Sequence, residues 1–169
     1  MLLHLPTPED TLALGAALGA ALGRGLAKAS PPVALLLQGP LGSGKTTLVR
    51  GLVSALPGAE EAEVSSPSFN LVNLYPTRPQ VAHFDLYRVE TAHPLEEFEE
   101  LLGQPGTLLV AEWIDRVEEK LWPDEALHME WVAVPSGRAL EIRAWGKAAS
   151  GLLTSLAPTL NHWQKGSTV

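Results

Sequence analysis

The sequence predicts a three-layer α/β fold, with a mixed, mainly parallel central sheet and helices on both faces, and three observations carry this expectation. Val33 to Leu37 is a short apolar run that passes through a glycine-rich turn into an amphipathic segment, the pattern of a buried strand followed by a helix. Thr107 to Ala111 is a second such run. Phe69 to Tyr75 with Val81 to Tyr87, and Leu127 to Val134 with Ala139 to Trp145, are alternating segments around short turns, which predict antiparallel pairs.

The elements follow in chain order. Thr7 can cap a helix, Pro8 suits its first position, and Asp10 completes a box-like arrangement. The apolar run from Thr11 to Gly23 is shorter than the roughly 20 residues that span a bilayer, and it follows Glu9 and Asp10 where a signal peptide needs basic charge. Neither export nor anchoring is expected. Gly15, Gly19 and Gly23 lie four apart and are read as small residues that let this helix pack closely on the sheet. From Lys45 to Leu56, Leu48, Val49, Leu52, Val53 and Leu56 recur at helical spacing until Pro57-Gly58 stops the pattern. Pro76-Thr77-Arg78-Pro79 joins the first strand pair.

Pro94 to Leu102 reads as an acidic helix whose Glu96, Glu97, Glu99 and Glu100 form a solvated face or one suited to a basic partner. Pro135-Ser136-Gly137 turns the last strand pair, across which Glu130 and Arg143 can meet. A helix from Ala148 to Leu156 closes the expected single domain, residues 1–158, and residues 159–169 are expected to be a loosely held tail.

Composition removes several chemistries. The 169 residues contain no cysteine, which excludes disulfide scaffolds, zinc-thiolate sites, iron–sulfur clusters and thiol nucleophiles. A cytoplasmic location fits this. Nineteen acidic against 12 basic residues give a net charge of -7, which opposes sequence-independent binding to a polyanion, so any role on nucleic acid is expected to be indirect.

Gly39-Pro40-Leu41-Gly42-Ser43-Gly44-Lys45-Thr46 fits GxxxxGK[ST], placed after a buried strand and opening a helix. Glycines let main-chain N–H groups close around phosphates, the helix start adds partial positive charge, Lys45 reaches the outer phosphates and the Thr46 hydroxyl can ligate Mg²⁺. This is the signature of a P-loop nucleotide-binding fold, and residues 39–46 with Thr47 are its candidate nucleotide contacts.

Glu112 ends the strand Thr107 to Ala111, where a carboxylate can face the phosphate loop and either hold the Mg²⁺ hydration shell or orient and deprotonate the attacking water. In His83-Phe84-Asp85-Leu86-Tyr87-Arg88, alternation puts His83, Asp85 and Tyr87 on one face. A buried carboxylate needs a partner, so Asp85 is read as a Mg²⁺-shell ligand or as an ion-pair partner of Arg88. His83 is read first as a hydrogen-bonded core residue. Ser65-Ser66-Pro67-Ser68-Phe69 is placed where a loop could sense the terminal phosphate, and Trp113 either stacks near the nucleotide or covers the sheet.

Together GPLGSGKTT, SSPSF, HFDLYR and the VAEW strand tip resemble, in order and spacing, the TsaE family of small bacterial ATPases of tRNA threonylcarbamoyladenosine synthesis, from about Leu12 to Trp145. HFDLYR with the terminal Glu112-Trp113 pair is more specific than the phosphate loop, which many unrelated enzymes share. The resemblance implies an ATPase that binds the TsaB–TsaD pair and hydrolyses Mg²⁺-ATP to support cycles of threonylcarbamoyl transfer to adenosine 37, without transferring the group itself. It assigns Lys45 and Thr46 to phosphate and Mg²⁺, Asp85 to the acidic position, and Glu112 with Trp113 to the strand tip, so the candidate catalytic residues are Lys45, Asp85 and Glu112 and the candidate metal ligands Thr46, Asp85 and Glu112. Ser68 stands where many members have threonine, keeping a hydroxyl that could contact the nucleotide. Ile114-Asp115-Arg116 departs from the proline that often follows the pair.

The sequence leaves two other classes open. A small-molecule kinase would share the phosphate loop but usually brings several phosphate-clamping arginines, and the arginines here are scattered. A non-catalytic nucleotide-binding adaptor would keep Lys45 and Thr46 and need neither Asp85 nor Glu112. No NKxD segment favours guanine and no LSGGQ-like stretch favours a transporter ATPase. Oligomeric state is open, a monomer included.

Overall fold

The computed structural model describes residues 1–25, 33–89, 96–102, 104–134 and 137–164. They form β1 (Leu2–Leu5), α1 (Pro8–Gly25), β2 (Ala34–Gln38), α2 (Lys45–Ser54), β3 (Val72–Tyr75), β4 (Gln80–Asp85), α3 (Glu96–Leu102), β5 (Thr107–Glu112), β6 (Ala126–Val132), β7 (Arg138–Trp145) and α4 (Lys147–Leu160). One sheet runs β1-β7-β6-β2-β5-β4-β3. The β6–β2, β2–β5 and β5–β4 pairs are parallel, and the antiparallel β4–β3, β6–β7 and β7–β1 pairs complete the two edges. This is the mixed sheet the sequence predicts, parallel in the middle and antiparallel toward both edges.

Strand alternation divides the core into two layers. Leu35 and Leu37 of β2, Val81 of β4 and Leu108 and Val110 of β5 pack with α1, α2 and α4. Ala34, Leu36, Ala82, Phe84, Leu109 and Ala111 face the other way, onto Phe98 and Leu101 of α3 and onto Ile114. Helices therefore lie on both faces, with three of the four described helices on one of them.

The glycines of α1 meet a helix rather than the sheet. A Cβ at Gly15 would lie 2.2 Å from the Leu48 carbonyl oxygen, and one at Gly19 2.2 Å from that of Leu52, both on α2. Gly51 of α2 reciprocates, since its Cβ would lie 2.1 Å from the Leu12 oxygen. The two backbones touch, which only glycine permits. The start of α1 is as read: Thr7 donates through its amide and its hydroxyl to Asp10 Oδ2 at 3.0 and 2.8 Å, and the Asp10 amide returns to Thr7 Oγ1 at 3.2 Å.

Three further details differ from expectation, and one refines it. Leu2–Leu5 is a strand on the sheet edge, with Leu3 and Leu5 fully buried against the α1 layer; four residues are too few to show periodicity. Phe69 to Leu71 is a turn, because the amides of Asn70 and Leu71 both donate to the Pro67 carbonyl, so β3 begins only at Val72. Arg143 does meet Glu130 across the last strand pair, at 4.0 Å, and lies closer still, at 2.6 Å, to Glu141 on its own strand, since the register sets Glu130 opposite Glu141. The chain is not loose just beyond Pro158: α4 runs to Leu160, and Leu160 and Trp163 belong to the core. Of the expected elements, Pro94 and Leu95, Pro135 and Ser136, and the last five residues lie outside the described residues. No described helix is long and apolar enough to cross a membrane.

Candidate functional site

The carboxyl ends of β2, β4 and β5 converge, the place where parallel sheets present their ligand crevices. Leu37 near the end of β2 is in register with Glu112 at the end of β5, and Glu112 with Asp85 at the end of β4. Alternation puts His83 and Asp85 on the face of Val81, and Glu112 on the face of Val110, which is the α2 side of the sheet. The chain leaving β2 makes the glycine loop and enters α2 at Lys45 on that same side.

Gly44, the residue before α2, has φ 113° and no side chain caps the helix, so its first amides have no side-chain acceptor. A Cβ at Gly44 would also press to 3.3 Å of Thr11 in α1. Lys45 Nζ donates to the carbonyls of Gly39 at 2.6 Å and Pro40 at 2.9 Å, and lies 3.8 Å from the centroid of the Trp113 ring. Burial holds its ammonium below the ordinary lysine range, opposed by the nearby charges of Glu112, Asp115 and Asp85.

Glu112 is nearly inaccessible, 2% exposed, and its Oε1 gathers two contacts: the Thr46 hydroxyl donates to it at 2.8 Å, and His83 Nε2 lies 2.8 Å away. Behind His83, Nδ1 meets the Tyr75 hydroxyl at 3.1 Å, and that hydroxyl donates to the Ser65 carbonyl at 3.0 Å. Asp85 accepts the Ser66 hydroxyl on Oδ2 and the Tyr87 amide on Oδ1 at 3.0 Å. Its alternative partner is engaged elsewhere: the Arg88 guanidinium sits over Phe69, 4.6 Å from the ring centroid.

Trp113 follows Glu112 with φ 61° and ψ 40°, a left-handed conformation that costs a bulky residue free energy. In that conformation its ring covers Lys45 and approaches Tyr87, with ring centroids 4.9 Å apart.

These groups surround a cavity of about 230 Å³. Leu41, Gly42, Gly44, Lys45, Thr46 and Thr47 line it from the loop and α2, and Asp85, Glu112 and Trp113 from the strand ends. Gly39 and Pro40 stand behind, as acceptors for Lys45. Ser43 is outside the lining, its hydroxyl buried and without a hydrogen-bond partner among the described residues. The structure does not bring Ser68 to the cavity; Ser66 lines it instead, because the turn begun at Pro67 carries Ser68 away. The contact between His83 and Tyr75 crosses from one strand to the next and leaves no local pattern in the sequence.

The oxygen atoms of Thr46, Asp85 and Glu112 are hard donors of the kind Mg²⁺ takes. Among the described residues no group of three or more His, Cys, Asp or Glu side chains gathers to hold a metal, but Mg²⁺ bound with phosphates needs only one or two carboxylates and water.

Fold and site together define a P-loop α/β protein. The family model described as threonylcarbamoyl adenosine biosynthesis protein TsaE matches residues 5–140, and the chain belongs to the TsaE family. A tRNA threonylcarbamoyladenosine biosynthesis protein TsaE of Aquifex aeolicus is 41% identical over 83 residues, 48% of this chain and 58% of its own length. The Rickettsia prowazekii protein of that name is 34% identical over 96 residues, 55% of this chain and 65% of its own. Each of these two matches spans less than two thirds of the relative. The Mycobacterium tuberculosis protein is 34% identical over 127 residues, covering 69% and 70%. The crystal structure of a Bacillus protein, YdiB, shares the fold with a TM-score of 0.69 at 27% identity, over 94% of this chain and 95% of that one.

Proposed function

We propose that this chain is a Mg²⁺-dependent ATPase that serves N6-threonylcarbamoyladenosine formation on tRNA in the cytoplasm, acting on the TsaB–TsaD pair and not transferring the group itself. The observation that carries the reading is the meeting of Lys45 and Thr46 with Asp85 and Glu112 around one cavity. An adaptor that only held nucleotide would need no buried carboxylate held against the loop threonine. About 230 Å³ is less than a typical whole-ligand pocket, which suits phosphates and their metal with the base lying outside.

The residues divide the work. The loop amides and Lys45 bind the phosphates, Thr46 and Asp85 would hold the metal and its water shell, and Mg²⁺ there would supply charge to neutralise developing negative charge on the phosphate. Glu112 is the base. Its Oε1 is occupied by Thr46 and His83, while Oε2 has no hydrogen bond among the described residues and can take the proton of a water. That water oxygen bonds to the γ-phosphorus, the bond from phosphorus to the β,γ-bridging oxygen breaks, and ADP leaves with the electron pair, giving ADP and inorganic phosphate. A net charge of -7 favours reaching tRNA through proteins that hold it.

The test is ATP hydrolysis and modified-tRNA yield in a reaction containing the TsaB–TsaD pair. Both are expected to fall at least about 100-fold with Lys45→Ala. Sustained yield without this protein would refute the assignment to tRNA modification, and unchanged hydrolysis in the variant would refute the site.

A further inference from the structure

Tyr75 and His83 lie behind the cavity lining, 4% and 0% exposed. Polar rings buried so deeply are costly unless their polar atoms are paired, and here all are, in one line. The line runs from the Ser65 carbonyl through the Tyr75 hydroxyl and both nitrogens of His83 to Glu112 Oε1, where the Thr46 hydroxyl also arrives. It joins the serine loop to the phosphate loop. The next residue of the serine loop, Ser66, lines the cavity and donates to Asp85, so whatever moves Ser66 pulls on both carboxylates.

The Tyr75 hydroxyl has a single hydrogen and two acceptors in reach, the Ser65 carbonyl at 3.0 Å and, in one tautomer, His83 Nδ1 at 3.1 Å. The Glu112 carboxylate only accepts, so the 2.8 Å contact places the hydrogen of neutral His83 on Nε2 and leaves Nδ1 as an acceptor beside the Tyr75 hydroxyl. Ser65 and His83 therefore share Tyr75, and a shift of Ser65 changes how Tyr75 holds His83 and, through it, Glu112.

We propose that Tyr75 and His83 are positioning residues through which the segment at Ser65-Ser66 sets the orientation of Glu112, so that the loop and the carboxylate respond together to a ligand in the cavity. The catalytic consequence rests on the ATPase reading; the mechanical link is a property of the chain itself. A merely structural pair would affect stability and leave the loop and the turnover number alone.

The experiment compares the wild-type chain with Tyr75→Phe, His83→Gln and His83→Asn by hydrogen–deuterium exchange over residues 64–72, with and without Mg²⁺-ATP, and by steady-state hydrolysis with the TsaB–TsaD pair. Tyr75→Phe keeps the packed ring and loses only the hydroxyl; loop exchange is expected to quicken about fivefold and kcat to drop about tenfold, while KM for ATP moves less than about twofold. Glutamine can present an amide N–H at the place of Nε2 and asparagine falls short, so His83→Gln should retain more kcat than His83→Asn. Wild-type loop exchange and kcat in Tyr75→Phe would overturn the proposal, and so would equal kcat losses in the two His83 variants. If the His83 variants do not fold, Tyr75→Phe decides alone. Wild-type protein that neither binds nor hydrolyses Mg²⁺-ATP would bring down the ATPase reading and this consequence with it; normal wild-type turnover with an unaffected Tyr75→Phe overturns the link alone.

Discussion

Thr46 donates its hydroxyl hydrogen to Glu112 Oε1 across 2.8 Å, joining the first turn of α2 to the tip of β5 from positions 66 residues apart in the chain. Parallel neighbours β2 and β5 make this possible, because the residue leaving one strand and the last residue of the other reach the same level. The bond fixes the carboxylate against the loop that would hold the phosphates, and several expectations follow from that arrangement.

Glu112→Gln keeps the size and the acceptor for Thr46 but cannot take a proton. Mg²⁺-ATP affinity by calorimetry should stay within about threefold of wild type while single-turnover hydrolysis slows about 100-fold. A variant that hydrolyses normally would move the base elsewhere.

Lys45 carries a pH signature. Desolvation lowers its folded-state pKa below the ordinary 10.5, more than Glu112, Asp115 and Asp85 raise it, so the folded protein loses this proton before the unfolded chain does. The sign for stability follows: between the folded value and 10.5 the unfolded chain binds more protons, and this lysine's contribution to stability rises with pH across that window. Bound phosphate raises the lysine pKa again. ATP binding should then take up protons in the alkaline range and weaken as pH rises through the free-protein value. Calorimetry in buffers of different ionisation enthalpy measures the uptake; Lys45→Arg, always charged, should abolish it, and proton release by the wild type would contradict the account.

Two glycine-to-alanine changes should move stability in opposite directions. Alanine at Gly51 would drive a methyl group to 2.1 Å of the Leu12 carbonyl oxygen, with backbone on both sides and nowhere to turn. The expected loss is about 2–4 kcal/mol in denaturant unfolding. Gly151 lies in α4 with nothing within 4 Å of an added Cβ, and alanine there should stabilise by about 0.5–1 kcal/mol. Shifts of the same sign would be inconsistent with the close α1–α2 contact.

His128 should contribute to acid sensitivity. Burial lowers its pKa from 6.5, with Glu130 opposing and Arg143 assisting, while its Nε2 lies 2.9 Å from Gln38 Oε1 and its ring lies beside Trp122. A histidine kept neutral by folding contributes its stability fully above 6.5 and loses it as the pH falls toward the folded value, since the unfolded chain protonates first. Melting temperatures of His128→Gln should therefore fall less steeply than those of wild type from neutral to mildly acidic pH. Parallel curves would refute this.

What the sequence displayed, and what it hid, follows the range of each signal. The glycine loop with Lys45 and Thr46 is contiguous, and the flanking strand and helix have their own periodicities, so the phosphate side of the site is legible at once. Asp85 and Glu112 are visible because a carboxylate at the end of an apolar strand demands a partner. The Tyr75–His83 line crosses between strands, and the Gly51–Leu12 contact crosses between helices, so neither has a spacing to read. Ser66 and Ser68 are two hydroxyls in one loop, and only the turn geometry after Pro67 separates them. Leu160 and Trp163 follow a proline that looks like an end, yet the apolar layer above the sheet recruits them.

Titration of Mg²⁺-ATP into the wild-type protein and into Lys45→Ala, followed by calorimetry, tests the central claim most directly. Saturable binding at one site per chain is expected for the wild type, weakened at least about 100-fold, or about 2.7 kcal/mol, in the variant. Equal affinity in the two proteins would show that the loop at residues 39–46 does not hold the triphosphate.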